Sequence, residues 1–421
     1  MRRAATVYPW AVIGVLLVTL TAGALVNVRM NPHPQLVEGL PPEYRKVSLA
    51  TDLRLPSTHP ELVRQALTDL KALTPNGYGP LAGWDGPWRY VWPRDASFTA
   101  AAWCAVGQYD EASEVFAFLD KVRPQKTKAG GAARELAAGA QPHSGGRHGG
   151  GRWEARYHGD ASGPMLDGRH PQLDGSGWVL WSAWFCATLQ GDRAAADAQV
   201  VRNWPMLRQS ADQITMELGS NGLPSPSPDY WERNESELTL GTVAPLLAGL
   251  RSASALAKRT NHLQDAERWS NAAGRLEHAI DRAFGGRRGY PRTKHGGADA
   301  IVTVLGPPFA AARPPVVEAI ERSHAVLTLP NGGVTPGQDW RADGVAWTPQ
   351  TALFGLSAAA RGDRRTAESV LAWLDNHRTS SGSIPEKVNR LNAVAGEAPL
   401  GWTSALVVLT ATALDRPLPI P

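Results

Sequence analysis

Cysteine is scarce in this 421-residue chain, which has only Cys104 and Cys186. Both fall in apolar segments, so a disulfide of an exported chain and a pair of buried thiols are both open readings. An excess of one charge is also lacking. The 43 Lys and Arg face 39 Asp and Glu, a net charge of +4. No basic face with interleaved aromatics occurs, which leaves nucleic-acid binding without support. Strand-type alternation is nearly absent, with short extended pieces expected only at 152–157 and 301–305. His143 and His148, in a loop over 123–151 rich in Gly, Ala, His and Lys, have no Cys or carboxylate at ligand spacing. No metal and no other cofactor is therefore expected. At 43% hydrophobic and 19% charged the chain is of ordinary globular composition, and its length suits one large domain or two average ones.

Tryptophan is abundant instead. Its 16 copies exceed the 7 Phe and 8 Tyr together, and Trp is a surface that sugars stack on as well as a core anchor. The N-terminus reads Arg2-Arg3 and then an apolar run over 7–26, with small residues at Thr21-Ala22-Gly23-Ala24. This fits either a cleaved secretory signal or an uncleaved signal-anchor helix, with the body of the chain exported in both cases. Residues 1–30 are assigned to that segment. Residues 31–58, with Pro32, Pro34, Pro41, Pro42 and Pro56, read as an extended arm. Residues 59–416 form the remaining domain. Apolar i, i+3, i+4 spacing, as in Leu62-Val63-Ala66-Leu67-Leu70, predicts helices near 60–73, 94–106, 110–122, 176–190, 194–217, 240–260, 264–284, 314–326, 347–361, 364–377 and 400–414. Helices of similar length joined by alternately short and long loops suggest helical hairpins set in a toroid.

One long loop organises the rest. Asn221-Gly222-Leu223-Pro224-Ser225-Pro226-Ser227-Pro228 cannot run as a helix, and it delivers Asp229-Tyr230-Trp231-Glu232. A stiff loop ending in Tyr-Trp-Glu is suited to holding one carboxylic acid against an apolar wall, as a general acid requires. The competing reading is a helix start with Asp229 as cap and Glu232 as its capping-box partner.

Further loops carry aromatic and charged residues in a fixed order. Gly83-Trp84-Asp85-Gly86-Pro87-Trp88 leads into Tyr90-Val91-Trp92-Pro93-Arg94-Asp95-Ala96, and Arg169-His170-Pro171-Gln172-Leu173-Asp174-Gly175 comes next. After Asp229–Glu232 stand Gly382-Ser383-Ile384-Pro385-Glu386-Lys387 and Ala398-Pro399-Leu400-Gly401-Trp402-Thr403-Ser404-Ala405. Together, over residues 50–415, these resemble the glucoamylase family of glycoside hydrolases, family 15. The resemblance implies an all-α (α/α)6 barrel with its site at one mouth. It also implies an inverting, exo-acting α-glucosidase that releases β-glucose. By motif, Glu232 matches the general acid and Glu386 the general base. Arg94 and Asp95 match the grip on the terminal sugar, Trp92 and Trp231 match pocket walls, and Asp174 is a further candidate sugar contact. Trp347 and Trp402, each at a predicted helix start, are subsite walls or core residues. Glu397 is a second candidate base. Inversion needs one protonated and one ionised carboxyl roughly 6.5–9.5 Å apart. Two glutamates far apart in sequence can meet that need from separate loops.

The chain also departs from the family pattern. Arg233 follows Glu232 where relatives usually carry an acid, which makes it a candidate contact to the next sugar. The loop Asn331–Gly337 lacks the family's following arginine, a place Arg341 could take, and a Trp usual before the Arg169 motif is missing. The expected substrate is an oligosaccharide or polysaccharide, with short α-glucosides favoured over starch granules. The linkage is open among α-1,4, α-1,6 and the α,α-1,1 bond of trehalose. A monomer is expected, anchored to a membrane through 7–26 or secreted. The alternative from another class is a catalytically weak sugar-binding protein of the cell envelope on the same barrel.

Overall fold

The computed structural model describes residues 37–38, 47–124 and 151–421. The apolar run at 7–26, much of the proline-rich arm and most of the 123–151 loop with its histidines lie outside the described residues.

Eleven α-helices are present among the described residues: α1 (Pro60–Ala72), α2 (Pro93–Ala105), α3 (Tyr109–Val122), α4 (Asp174–Leu189), α5 (Arg193–Glu217), α6 (Leu240–Arg259), α7 (Leu263–Phe284), α8 (Pro314–Leu327), α9 (Thr348–Ala360), α10 (Arg364–Asn376) and α11 (Gly401–Asp415). All eleven expected helices are thus found, with ends within two residues of the expectation. A twelfth element is a 3-10 helix at Ala300–Leu305, where the sequence pattern suggests an extended piece. Its six residues are all buried, and a short, mostly apolar run does not by itself distinguish strand from helix. The other expected extended piece, 152–157, is irregular apart from a bridge between Tyr157 and Val91.

Two rings explain the burial pattern. Helices α2, α4, α6, α9 and α11 and the 3-10 helix are buried almost all round, and each packs on the next in chain order. Helix α11 packs on α2 and so closes the ring. The other helices are amphipathic and lie outside, α3 on α2, α5 on α4, α7 on α6, α8 on the 3-10 helix, α10 on α9 and α1 on α11. The result is an all-α toroid of six inner and six outer elements. Where α4 meets α6 the packing requires glycine. A Cβ on Gly177 would lie 2.2 Å from the Pro245 carbonyl oxygen, and one on Gly249 would lie 2.5 Å from the Gly177 Cα. Among the described residues α6 is the one helix long and apolar enough to cross a membrane, and it belongs to the buried inner ring. Cys104 of α2 and Cys186 of α4 form a disulfide between neighbouring inner helices, which decides between the two readings of the cysteines.

The inner elements run parallel, so their N-termini gather at one mouth of the toroid. The long loops end there, and that is where Trp92, Asp174, Thr239, Asp299, Trp347 and Leu400 cap or begin the inner elements. Five two-residue strands are present among the described residues, four of them in these loops. Strand β1 (Val37–Glu38) pairs in parallel with β5 (Glu397–Ala398). Strands β2 (Ala346–Trp347), β3 (Lys387–Val388) and β4 (Val394–Ala395) form an antiparallel sheet that sets Trp347 opposite Lys387.

Candidate active site

The first turn of α2 supplies the buried end of the mouth. Trp92 caps the helix in an extended conformation and Pro93 opens it, the position where a missing N–H costs nothing. Arg94 and Asp95 follow, both 6% exposed. The Arg94 guanidinium lies 3.2 Å from Asp95, 3.5 Å from Asp174 at the start of α4, and 3.5 Å from Glu232. It also lies 4.9 Å from the centre of the Trp402 ring. Burial pushes Asp174 up to about 7 and Asp95 up to about 6, with the Arg94 charge opposing in both cases. Such a cluster of carboxylates around one guanidinium offers acceptors and donors to a sugar diol.

The loop that carries Glu232 is held by a second buried cation. Asp229 is fully buried and takes Arg292 at 2.9 and 3.0 Å. Its carboxylate also accepts from the Thr239 hydroxyl at 2.7 Å and the Trp231 N–H at 2.9 Å. Arg292 further reaches Glu235 at 2.6 Å and Asp299 at 3.2 Å, and its guanidinium lies 3.6 Å from the centre of the Trp231 ring. Tyr230 donates its hydroxyl to Asp299 at 2.5 Å. The capping-box reading fails here, because α6 begins at Leu240 with Thr239 as its cap. Asp229 closes a local side-chain turn instead, and three prolines hold the chain off a helical path until then.

This scaffold ends on an unusual backbone. Glu232 has φ of +56°, a left-handed conformation that disfavours a residue with a Cβ, costing about 1–2 kcal/mol. Its side chain is 24% exposed. The expectation of a carboxyl walled off by Tyr230 and Trp231 is corrected: the kink turns the group away from both, onto a set of donors. Trp92 Nε1 donates at 3.1 Å and Gln172 at 2.7 Å, and Arg169 forms an ion pair with the second oxygen. Arg169 and Gln172 belong to the Arg-His-Pro-Gln motif, which signalled the region without assigning either residue a role. Arg292 and Asp299 stand in Pro291-Arg292-Thr293 and Ala298-Asp299-Ala300, where no spacing pointed to them.

Glu386 arrives from another loop. Its side chain is 6% exposed, with the Lys387 ammonium 3.1 Å from Oε2. Burial raises Glu386 above the ordinary glutamate value, with Lys387 and the Trp88 side chain opposing. The loop approaches closely because position 396 is glycine. Gly396 has φ of +76°, and a Cβ there would lie 2.4 Å from Glu386 Oε2. Glu397, the second candidate base, is placed differently. Its Oε1 accepts from the backbone N–H groups of Trp84 at 2.8 Å and Asp85 at 3.1 Å, which ties down the Gly/Trp-rich lead-in. Burial pushes Glu397 up to about 7.

The two glutamates are linked through the inner ring. Glu386 accepts at its carbonyl from the Thr348 N–H at 3.0 Å, and the hydroxyls of Thr348 and Thr403 lie 2.8 Å apart. Thr403 follows Trp402, which carries Arg94 on its ring, and Arg94 faces Glu232. Two further expected residues, Trp231 and Trp347, are joined into an aromatic wall by Trp340, which no sequence motif signalled. Trp231 packs its edge on Trp340 at 4.9 Å, and Trp340 packs on Trp347 at 5.4 Å. Lys387 lies 4.2 Å from the Trp347 ring centre. Arg233 does not turn toward Glu232 but stacks 4.3 Å from the Trp340 ring centre. Trp402 is 5% exposed and packs on Phe98 and Tyr230, so it backs Arg94 from the core side. No cluster of His, Cys, Asp and Glu among the described residues could hold a metal ion.

A toroid with carboxylates, guanidiniums and tryptophans gathered at one mouth is the architecture of a glycoside hydrolase. The chain belongs to glycosyl hydrolase family 15, whose model matches residues 71–342, a span that includes Glu232 and ends before Glu386. Among solved structures, a wild-type glycosidase is similar at 22% identity and a TM-score of 0.68, over 84% of this chain and 96% of its own. A glucoamylase from Saccharomycopsis fibuligera aligns at 13% identity and a TM-score of 0.65, over 88% of this chain and 99% of its own. A bacterial glucoamylase complexed with acarbose aligns at 16% identity and a TM-score of 0.63, over 85% of this chain and 56% of its own. These likenesses concern the fold. No curated protein matches this chain by sequence.

Proposed function

We propose that this glycoside hydrolase is an inverting, exo-acting α-glucosidase of glucoamylase type, which removes terminal glucose from short α-linked oligosaccharides. The observation that supports the reading is that two glutamates come from separate loops at one mouth, Glu232 beside the buried cluster of Arg94, Asp95 and Asp174 and Glu386 beside Lys387. Glu232 lies 3.5 Å from Arg94, and Glu386 is tied to the same inner ring through Thr348 and Thr403. In this mechanism Glu232, which must hold its proton against the neighbouring charges of Arg94 and Arg169, gives it to the glycosidic oxygen as the bond to C1 breaks. A water on the opposite face attacks C1 and passes its proton to Glu386, so the sugar leaves as the β-anomer. Lys387 keeps a positive charge beside the base, favouring the ionised form that must accept this proton. Arg94, Asp95 and Asp174 orient the terminal sugar, and Trp231, Trp340 and Trp347 give it apolar faces.

Glu397 is assigned a positioning role, because both of its backbone contacts hold the lead-in loop. Glu232→Gln and Glu386→Gln should each lower glucose release from maltooligosaccharides by at least about 100-fold. Near-full activity in either variant would refute the assignment. Export of the chain, anchored or secreted, is part of the same proposal and is supported by the Cys104–Cys186 disulfide, a bond favoured in oxidising compartments. Protease accessibility on intact cells tests it, and protection of the chain until lysis would count against it.

A further inference from the structure

The aromatic wall carries two cations that the chemistry above does not use. Arg233 stacks 4.3 Å from the Trp340 ring centre and 5.2 Å from that of Trp231. Arg341 lies 5.8 Å from the same Trp340 ring centre. Two guanidiniums that share one indole stand within about 10 Å of each other, near the screening length of dilute salt. Neither has an ion-pair partner among the described residues, unlike Arg94, Arg169, Arg292 and Lys387 at the same mouth. Of the acids near them on the chain, Glu232 pairs with Arg169 and Glu235 with Arg292 at 2.6 Å, while Asp339 accepts from the Gly297 N–H at 2.8 Å and Asp343 from the Val345 N–H at 3.0 Å. The two cations therefore repel each other, and Arg341 helps hold Arg233 below the ordinary arginine value, after the larger effect of burial.

Their place in the pocket gives this repulsion a use. Arg94, Asp95 and Asp174 are buried at the inner-helix N-termini, whereas Arg233 is half-buried and Arg341 exposed. In a pocket closed at the Arg94 end the terminal sugar occupies the buried part, and the leaving group must lie toward the open part. Arg233 is the residue directly after the proposed acid, and the acid protonates the oxygen that joins the two. A planar guanidinium held over a tryptophan face is pre-organised to present its N–H groups to an oxyanion.

We infer that the leaving-group side of this pocket is built for an anion: the preferred substrate is an α-glucoside whose aglycone carries a carboxylate or a phosphate, received by Arg233 and Arg341. This inference rests on the glucosidase reading, and the experiment separates the two. Hydrolysis of maltobionate, of maltose 1-phosphate and of neutral maltitol is compared at low and high salt. Maltobionate and maltitol are both open-chain and differ only in a carboxylate against a hydroxymethyl group. Binding of all three to the Glu386→Gln variant is measured in parallel by calorimetry.

The expected result is a kcat/KM for at least one anionic substrate about tenfold or more above that for maltitol at low salt, the order of one hydrogen bond to a charged group. The ratio should fall toward one in 0.5 M salt and in Arg233→Gln and Arg341→Gln. Preference for maltobionate alone assigns a carboxylate, and preference for the phosphate alone assigns that group. Equal kcat/KM for all three, or a preference that survives in both variants, overturns the inference while leaving the glucosidase reading standing. If none is cleaved but an anion binds and maltitol does not, the anion site stands and the reaction falls. If none is cleaved and none binds, the inference is overturned.

Discussion

Replacing Arg292 by methionine is the perturbation from which the structure predicts most. This one guanidinium faces Asp229, Asp299 and Glu235 at 2.6–3.2 Å while 3% exposed, and Asp229 is fully buried. Methionine keeps the unbranched stem and the contact with Trp231 but removes the charge. Breaking a buried ion pair from one side costs about 3–5 kcal/mol, because the carboxylate left behind has lost its solvent and its partner. Unfolding entropy of about 2.1 cal/mol/K per residue over the roughly 350 described residues gives about 0.7 kcal/mol/K, so Tm should fall by about 5 °C. The same cation fixes Asp229, whose carboxylate sets the turn before Glu232, so kcat should fall as well. Differential scanning calorimetry and a glucose-release assay read the two effects on one sample. Arg169→Met is the comparison, since Arg169 touches Glu232 directly but is 34% exposed, and an exposed pair is worth under about 1 kcal/mol. It should lower activity with almost no change in Tm. A Tm for Arg292→Met within 1 °C of the parent, with unchanged kcat, would refute the view that this network holds the site.

Two other predictions concern pH and backbone shape. Asp69 of α1 accepts from Ser383 at 2.9 Å and from Gln65 at 2.9 Å, and burial pushes it up to about 7 from 3.8. The folded state thus holds that proton more tightly than the unfolded state. The associated stability is full below pH 4, falls as pH rises, and is gone above about 7. Asp69→Asn, a neutral mimic, should match the parent near pH 3.5 and exceed it at pH 8 by on the order of 4 kcal/mol in chemical denaturation; a difference between variant and parent that is the same at both pH values would contradict this. Gly396→Ala places a Cβ 2.4 Å from Glu386 Oε2 at a φ of +76°. It should cost about 1–2 kcal/mol of stability and lower kcat about 100-fold by displacing the base, and a kcat within twofold of the parent would argue that Glu386 is not the base.

Much of this arrangement was legible in the residues. Apolar spacing marks every α-helix, because amphipathic outer helices and wholly apolar inner ones leave the same periodic or continuous signals. Trp92, Arg94, Asp95, Glu232 and Glu386 stand in motifs dense enough to be read together. What stayed hidden depends on three-dimensional partners. Arg292 and Asp299 serve Asp229 across long sequence gaps, and nothing local distinguishes them from surface charges. Ala300–Leu305 is apolar except at Thr303 and rich in β-branched residues, so its pattern gave no sign of a helix. The left-handed turn at Glu232 is a property of the whole loop, and it explains why the carboxyl meets Trp92, Gln172 and Arg169 rather than its chain neighbours. The stacking of Arg233 on Trp340 rather than toward Glu232 was not legible in the sequence, because Trp340 is 107 residues away.

The stereochemistry of the product tests the central claim most directly. Proton NMR of the anomeric region, recorded in the first minutes of maltotetraose hydrolysis and before mutarotation, reports which anomer leaves the enzyme. The proposed roles of Glu232 and Glu386 predict that β-glucose appears first and that α-glucose grows in only by mutarotation. Release of α-glucose first would require a covalent, retaining route and would contradict the assignment of Glu386 as a base acting through water.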